Sequence, residues 1–307
     1  MSEETSGRTE RAGESGQIRA GLTGVPETAL WNLYNRAAEA RRSGRRVLSD
    51  PRAVELVERI DYPFERFGGS PMAQWHALRV RCLDDEVRRF LAERPGGTVV
   101  ALGEGLETQF WRVDDGRVRW LTVDLPESVE LRDALLPDDP PRRRTLACSA
   151  LDLRWMDEVA DADPADVMVT AQGLLMYLPP EQVKQLIANC AECFPGGRFL
   201  FDALPRAIVA RSKAAGPDAS SDGASGTGPS GAGYRAPRWE WGMDTGEYRK
   251  VATASPRIAE VRSLPLPRGR GLYAIAPLSH RIPGLRAMRM SIISVRFGAA
   301  DYRNDLA

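Results

Sequence analysis

The chain has 307 residues, 42 Lys+Arg against 42 Asp+Glu for a formal net charge of zero, and 43% hydrophobic residues. That length and apolar content allow one large α/β domain with additions or two modest domains, and the even charge balance argues against nucleic acid as the main partner and gives no reason to invoke a membrane surface. No stretch of about 18 apolar residues predicts a spanning helix, and the opening MSEETSGRTERAGESGQIRA lacks the apolar region of a secretory leader, so the expected location is cytoplasmic.

Residues 1–22 are rich in Ser, Gly, Glu and Arg and predict a disordered tail. Residues 23–97 predict a helical segment. In ETALWNLYNRAAEARRSG, Leu30, Leu33, Tyr34, Ala37 and Ala38 recur at helical spacing, and Gly44 suits the exit. Asp50-Pro51 reads as an N-cap followed by an N1 proline. MAQWHALRVRCLDDEVRRFLAERPGG predicts a long amphipathic helix with Leu78, Cys82, Leu83, Val87, Phe90 and Leu91 as its apolar stripe. It leads into an α/β core over 98–307.

That core opens on strand, glycine turn, short helix and second strand. Thr98 to Leu102 are mostly apolar and β-prone, as a buried parallel strand is. Gly103 and Gly105 let the backbone turn and approach a ligand closely. Val118 to Val123 form the next strand, and Asp124 closes it. An acid about 20 residues after a glycine turn suits a ribose, whose two hydroxyls donate to one carboxylate. Downstream, LPESVELRDALL predicts a helix, Thr145 to Cys148 a third strand, DVMVTA from Asp166 a fourth, PPEQVKQLIANCAECF a helix and GGRFLFDAL a fifth strand. The βαβαβ series predicts a mostly parallel sheet. Residues 212–233 are low-complexity Ser/Gly/Ala and predict a flexible loop, with a lid as one possible use. IAEVRSLPLP and MSIISVRFG predict two closing strands. Cys190 and Cys193 fall on one helix and read as two small buried residues. Two histidines, His76 and His280, are too few for a His-based metal centre, so no metal is expected.

In open α/β sheets ligands bind outside the carboxyl ends of strands. Those ends carry Gly103-Glu104-Gly105, Asp124-Leu125, Asp152-Leu153 and Ala171-Gln172-Gly173. Together they suit an adenosine, with Asp124 on the ribose, Leu125 and Leu153 on the adenine and Asp152 accepting from its amine. Asp152 taken alone reads equally as a helix cap. Thr108 stands where a nicotinamide-binding G-x-G-x-x-G turn has its third glycine. No Walker A pattern and no G-x-S-x-G elbow are present.

Six segments in this order, TGVPETALWNLYNRAAEA, ALRVRCLDDEVRRFL, VVALGEGLETQFWRV, RWLTVDLPE, SALDLRWMDEV and AQGLLMYLPPEQV, resemble the leucine carboxyl methyltransferase family, in particular its bacterial branch of tetracenomycin-type polyketide O-methyltransferases. The resemblance covers about residues 23–205. It implies a Rossmann-like class I methyltransferase fold with a seven-stranded sheet, and S-adenosylmethionine as cofactor. By motif position it implies that Arg79 pairs with the methionine carboxylate and Arg36 assists as a second cation. It further implies that Gly103, Glu104 and Gly105 lie against the methionine part, that Asp124 holds the ribose and Asp152 with Leu153 the adenine, and that Gln172 completes the site. The family usually has Ala or Cys where this chain has Glu104, and often Glu where it has Gln172. Two expectations stand open: a carboxylate has moved from one loop to the other, or the cofactor's ammonium is held less well.

A methyl sulfonium is an activated donor, so the enzyme must align the acceptor oxygen and exclude water. The reading is an O-methyltransferase acting on a carboxylate or hydroxyl of a small molecule, polyketide-like if the resemblance extends to substrate. Tyr177 is expected to orient the acceptor, with core packing as its alternative. Trp239, Trp241 and Met243 are expected to wall the substrate pocket, with a plain core role equally open. A second reading, motivated by Glu104 and Gln172, is a methyltransferase fold that no longer methylates and serves as a cyclase or metabolite-binding module. The oligomeric state is left open.

Overall fold

The computed structural model describes residues 17–20, 27–70, 72–136, 140–214, 238–281 and 290–300. In chain order its elements are β1 (Ile18–Arg19), α1 (Thr28–Ala40), α2 (Pro51–Arg59), β2 (Ile60–Asp61), α3 (Ala73–Glu93), β3 (Thr98–Leu102), α4 (Gln109–Val113) and β4 (Arg119–Asp124). There follow α5 (Pro126–Leu135), β5 (Arg143–Ala147), β6 (Val167–Ala171), α6 (Pro180–Cys193), β7 (Arg198–Ala203), α7 (Arg206–Ala214), β8 (Ile258–Leu264) and β9 (Ser291–Phe297).

Seven strands form one sheet in the order β5-β4-β3-β6-β7-β9-β8. β3 to β7 run parallel, and β9 is antiparallel to both β7 and β8. The reason is visible in β3, where all five residues are buried. Val99 and Ala101 pack with Leu83, Val87 and Phe90 of α3. Val100 and Leu102 pack with Val183, Leu186 and Ile187 of α6. A strand apolar on both faces must be covered on both, which βαβ crossovers achieve. After β3 the chain moves outward through β4 and β5, then returns to β6 on the other side of β3. The carboxyl end of β3 therefore lies at the switch in strand order, where open sheets leave a crevice.

The N-terminal helices cover that crevice. Leu30, Leu33 and Ala37 of α1 pack with Leu56 of α2 and with Leu131 and Leu135 of α5. Asp50 caps α2 by accepting from the Ala53 amide at 3.0 Å, with Pro51 at the first helical position.

Three expectations are corrected. The tail was expected to be unordered through residue 22, but Ile18–Arg19 pair in parallel with Ile60–Asp61, and Ile18 and Ala20 pack on the α1–α2 cluster; residues 1–16 and 21–22 lie outside the described residues. Residues 212–214 of the expected flexible loop finish helix α7, and the rest, 215–233, lies outside the described residues. Cys190 is buried, but Cys193 is exposed, because it falls on the solvent side of α6. Among the described residues no helix is long and apolar enough to cross a membrane.

Candidate cofactor and active site

A cleft opens at the carboxyl ends of β3, β4, β5 and β6 and is roofed by one face of α1, through Thr28, Ala29, Asn32 and Arg36. Its empty space is about 1120 Å³ including the open mouth. Gly103 and Gly105 form its floor in the left-handed region, at φ 59° and 51°. A Cβ on Gly103 would stand 2.9 Å from Leu174 Cδ1, and one on Gly105 would stand 3.0 Å from Ala29 Cβ. The two glycines thus leave room that any larger residue would fill.

Asp124 ends β4 and faces this turn. Its Oδ2 accepts from the Gly105 amide at 2.5 Å and its Oδ1 from the Leu125 amide at 2.8 Å. Both oxygens are held in place and keep further lone pairs, which suits a diol. Burial pushes the carboxyl up, against those two amides and the Arg132 charge, which favour the ionised form. Leu125 also lines the cleft and is 40% exposed, an apolar surface without a cover in the protein.

Glu104 shares the turn, but its carboxylate serves a different purpose. It accepts from the Thr122 hydroxyl and from Trp120 Nε1, and it pairs with Arg132 at 3.2 Å and Arg143 at 3.7 Å. Arg132 also donates to the carbonyls of Gly105 and Glu107. The expected transfer of a cofactor-facing carboxylate to this loop is therefore corrected. Glu104 ties the turn to β4, β5 and α5, because two buried guanidiniums lie within its reach.

Arg36 is corrected in the same way. It lines the cleft, but Nε donates to Asp50 at 3.2 Å, Nη2 donates to the Leu106 carbonyl at 2.7 Å, and Nη1 pairs with Glu107 at 3.1 Å. Arg112 of α4 closes the group through Asp50, Glu107 and Asp84. Burial alone would raise the Glu107 carboxyl, but Arg112 and Arg36 outweigh it and hold it at about 2.

Arg79 of α3 also lines the cleft. Its Nη1 donates to Asp202 Oδ2 at 2.7 Å, while its buried Nε has no partner. Asp202 Oδ1 accepts from the Gly173 amide at 2.6 Å, so one fully buried carboxylate sets both the arginine and the loop after β6. A Cβ on Gly173 would lie 3.3 Å from Arg79 Nη1. Gln172 Nε2 donates to Gln109 Oε1 at 2.6 Å, and its Oε1 is buried without a partner. Tyr177, in the short turn after β6, lines the cleft with its hydroxyl 3.4 Å from Thr28 Oγ1, and burial raises its phenol.

Five expected site residues lie elsewhere. Asp152 accepts from the Arg154 amide and is clasped by the Arg154 guanidinium at 2.8 Å, capping the turn Leu153–Val159. Neither it nor the half-exposed Leu153 lines the cleft; Cys148, Ser149, Ala150 and Leu151 do so instead. Trp239 is buried with Met176, Ile208 and Val209, behind Tyr177. Met243 is buried in the α6-side core and Trp241 packs against it. Apolar packing claims these three side chains, so they do not wall the cleft.

The sheet order and the cleft at its switch point define a class I methyltransferase fold. A putative methyltransferase from Thermobifida fusca has the same fold, with a TM-score of 0.50 over 86% of this chain and 94% of that one at 15% identity. The leucine carboxyl methyltransferase family model matches residues 29–191, and the chain belongs to that family. The tetracenomycin polyketide synthesis O-methyltransferase of Streptomyces glaucescens is 36% identical over 185 residues, 60% of this chain and 67% of that protein. A putative S-adenosylmethionine-dependent methyltransferase of Saccharopolyspora erythraea is 32% identical over 216 residues, 64% and 72% of the two chains. The protein is an S-adenosylmethionine-dependent methyltransferase.

The cleft fits that cofactor on its own evidence. The glycine floor leaves room for a ligand against the backbone. Arg79 Nε is a buried donor and Gln172 Oε1 a buried acceptor, both unpartnered on residues that line the cleft, a combination that suits the anion and the cation of an amino-acid group. Asp124 offers fixed acceptors next to Leu125, whose side chain is exposed. Sequence reasoning missed Asp202, Asp84, Gln109, Arg132 and Arg143. A charged residue inside the apolar run RFLFDAL was the one available signal for Asp202.

Proposed function

We propose that the protein transfers a methyl group to a carboxylate oxygen of an apolar, polyketide-like small molecule. The observation that carries this is the lack of a free base among the described residues of the cleft. Glu104 and Glu107 are committed to arginines. Asp124 is bound to two backbone amides. His76 does not line the cleft; it is buried edge-on to Trp31 and Trp75, and burial, then Arg79 and Arg36, hold it well below its ordinary range. An acceptor that is already ionised at neutral pH needs no base. The kinship with a polyketide O-methyltransferase supports the same substrate class.

In this reading Arg79 binds the methionine carboxylate, Gln172 Oε1 accepts from the ammonium, and the backbone at Gly103 to Gly105 lies along the amino-acid chain. Asp124 accepts from the ribose hydroxyls, and Leu125 with the Cys148–Leu151 turn covers the adenine. The bound cofactor supplies a methyl on a sulfonium, which needs no further activation. The chain's own contribution is alignment and exclusion of water. α1 roofs the cleft, and the Tyr177 hydroxyl, beside Thr28, donates to one acceptor oxygen so that the other faces the methyl. Glu104 and Gln172 motivated a non-methylating reading, but each has a role compatible with transfer: one anchors the turn, the other presents an acceptor.

The test is an S-adenosylhomocysteine-release assay at neutral pH with matched aromatic carboxylic acids, phenols and amines. Turnover is expected with the carboxylic acids, as base-labile methyl esters. Turnover confined to phenols or amines would overturn the carboxylate assignment.

A further inference from the structure

Behind Gln172 runs a chain of buried polar groups whose hydrogen bonds converge on the Asp84 carboxylate. Arg112 donates to Asp84, from Nε to Oδ2 at 2.8 Å and from Nη2 to Oδ1 at 3.2 Å. Gln109 Nε2 also donates to Asp84 Oδ1, at 2.9 Å. Gln109 Oε1 therefore faces the cleft side and accepts from Gln172 Nε2 at 2.6 Å. Gln172 Oε1 is what remains, buried and unpartnered at the cleft. Asp84 and Gln109 are 1% and 0% exposed, so no water competes for these groups.

The direction is set at the far end. Arg112 can only donate, and it is itself fixed by Asp50 and Glu107. Asp84, facing two guanidinium nitrogens, accepts. Gln109 must then turn its amide nitrogen to Asp84 and its oxygen to Gln172. A reversed Gln172 amide would set two carbonyl oxygens against each other at hydrogen-bond distance and leave both unsatisfied, a cost that buried groups do not recover from solvent. An amide side chain alone is indifferent to whether it meets a donor or an acceptor; this one is not.

We propose that Gln109, backed by Asp84 and Arg112, is a positioning residue that locks the Gln172 amide with its oxygen toward the cleft, so that the site selects a ligand carrying an ammonium at that point. The proposal rests on the cofactor placement given above. It explains how a neutral amide serves at that point: direction replaces charge.

The experiment is isothermal titration of the apo protein with two probes. S-adenosylhomocysteine carries the amino-acid group, and 5′-methylthioadenosine lacks it. Gln109→Leu is expected to weaken S-adenosylhomocysteine about tenfold, the scale of one oriented hydrogen bond, and to leave 5′-methylthioadenosine within about threefold of wild type. The relay is overturned if Gln109→Leu keeps the ratio or loses both ligands equally. Gln172→Leu separates the two layers: an unchanged ratio there overturns the ammonium placement itself, while a lost ratio there with a kept ratio in Gln109→Leu removes only the relay.

Discussion

Arg79 and Asp202 form a buried ion pair at 2.7 Å between the middle of α3 and the end of β7, and Asp202 spends its second oxygen on the Gly173 amide. One carboxylate therefore neutralises the cation at the cleft and fixes the loop that carries Gln172. Asp202→Asn keeps the shape and an oxygen for Gly173 but leaves the arginine charge uncompensated. Breaking a buried pair from one side costs about 3–5 kcal/mol. Urea unfolding is expected to show a loss of that order at neutral pH, and an unchanged midpoint would mean that the pair contributes nothing net.

Asp124 tests the ribose. Removing it with Asp124→Ala should weaken S-adenosylhomocysteine by about 1–3 kcal/mol, the cost of stranding charge-assisted hydrogen bonds. The pH dependence has a definite sign. Burial raises this carboxyl, so it takes up a proton at a higher pH than an ordinary aspartate. The ionised form accepts from both hydroxyls; the protonated form does not. Affinity should therefore be complete above the raised pKa and fall as pH drops through it. Titrations in Asp124→Asn should be weaker and flat over the same interval; a retained pH step would assign it to another group.

Glu107 links the site to acid stability. Its folded pKa of about 2 lies below the ordinary 4.5, held there by Arg112 and Arg36 against the effect of burial. A depressed acid contributes stability that is full above pH 4.5 and is lost as pH falls toward 2. At 1.36 kcal/mol per pKa unit the contribution is about 3 kcal/mol. Glu107→Gln should lower stability at pH 7 and flatten the acid limb between those values in chemical denaturation. Equal slopes in the two proteins would contradict it.

How far the chain could be read by itself follows from what carries each feature. β3, β6 and β7 were legible because strands buried on both faces are mostly apolar, whereas β5, an edge strand of sequence RRTLA that is only partly buried, starts two residues before the expected Thr145 and ends one before Cys148. β1 was not, since two residues have no periodicity to read. Gly103, Gly105 and Asp124 were legible because a turn and a strand-end acid are local patterns. Their supports are not local: Arg79 meets Asp202 across 123 positions, and Gln109 meets Gln172 across 63. Asp152 was misplaced because a strand-end acid that caps the following turn and one that binds a ligand look alike in sequence. Trp239 and Met243 follow a stretch whose path no pattern specifies, and burial drew them inward.

Glu104 shows why a relative's residue does not transfer freely. The family resemblance leads one to expect Ala or Cys there, yet Glu104→Ala in this chain removes the carboxylate that two buried arginines, Arg132 and Arg143, share. Burial, reinforced by Arg132, already pulls the Arg143 pKa down to about 10. The expected loss is about 3–5 kcal/mol. Adding Arg143→Met should return part of it, because one stranded charge is removed. Thermal unfolding of the single and double variants decides the point: a double variant no more stable than Glu104→Ala would separate Glu104 from Arg143.

Gly103 carries the most exacting geometry in the cleft, and two costs there can be separated. A side chain at φ 59° is strained by its own backbone, and its Cβ would stand 2.9 Å from Leu174 Cδ1. Left-handed strain costs about 1–2 kcal/mol for an ordinary residue, and the clash adds to it. Gly103→Ala should therefore destabilise the protein and weaken S-adenosylhomocysteine. Combining it with Leu174→Ala removes the clash but not the strain. The double variant should recover part of the binding lost in Gly103→Ala, measured against Leu174→Ala alone. Full recovery would assign the whole requirement for glycine to Leu174, and no recovery would assign it to the backbone.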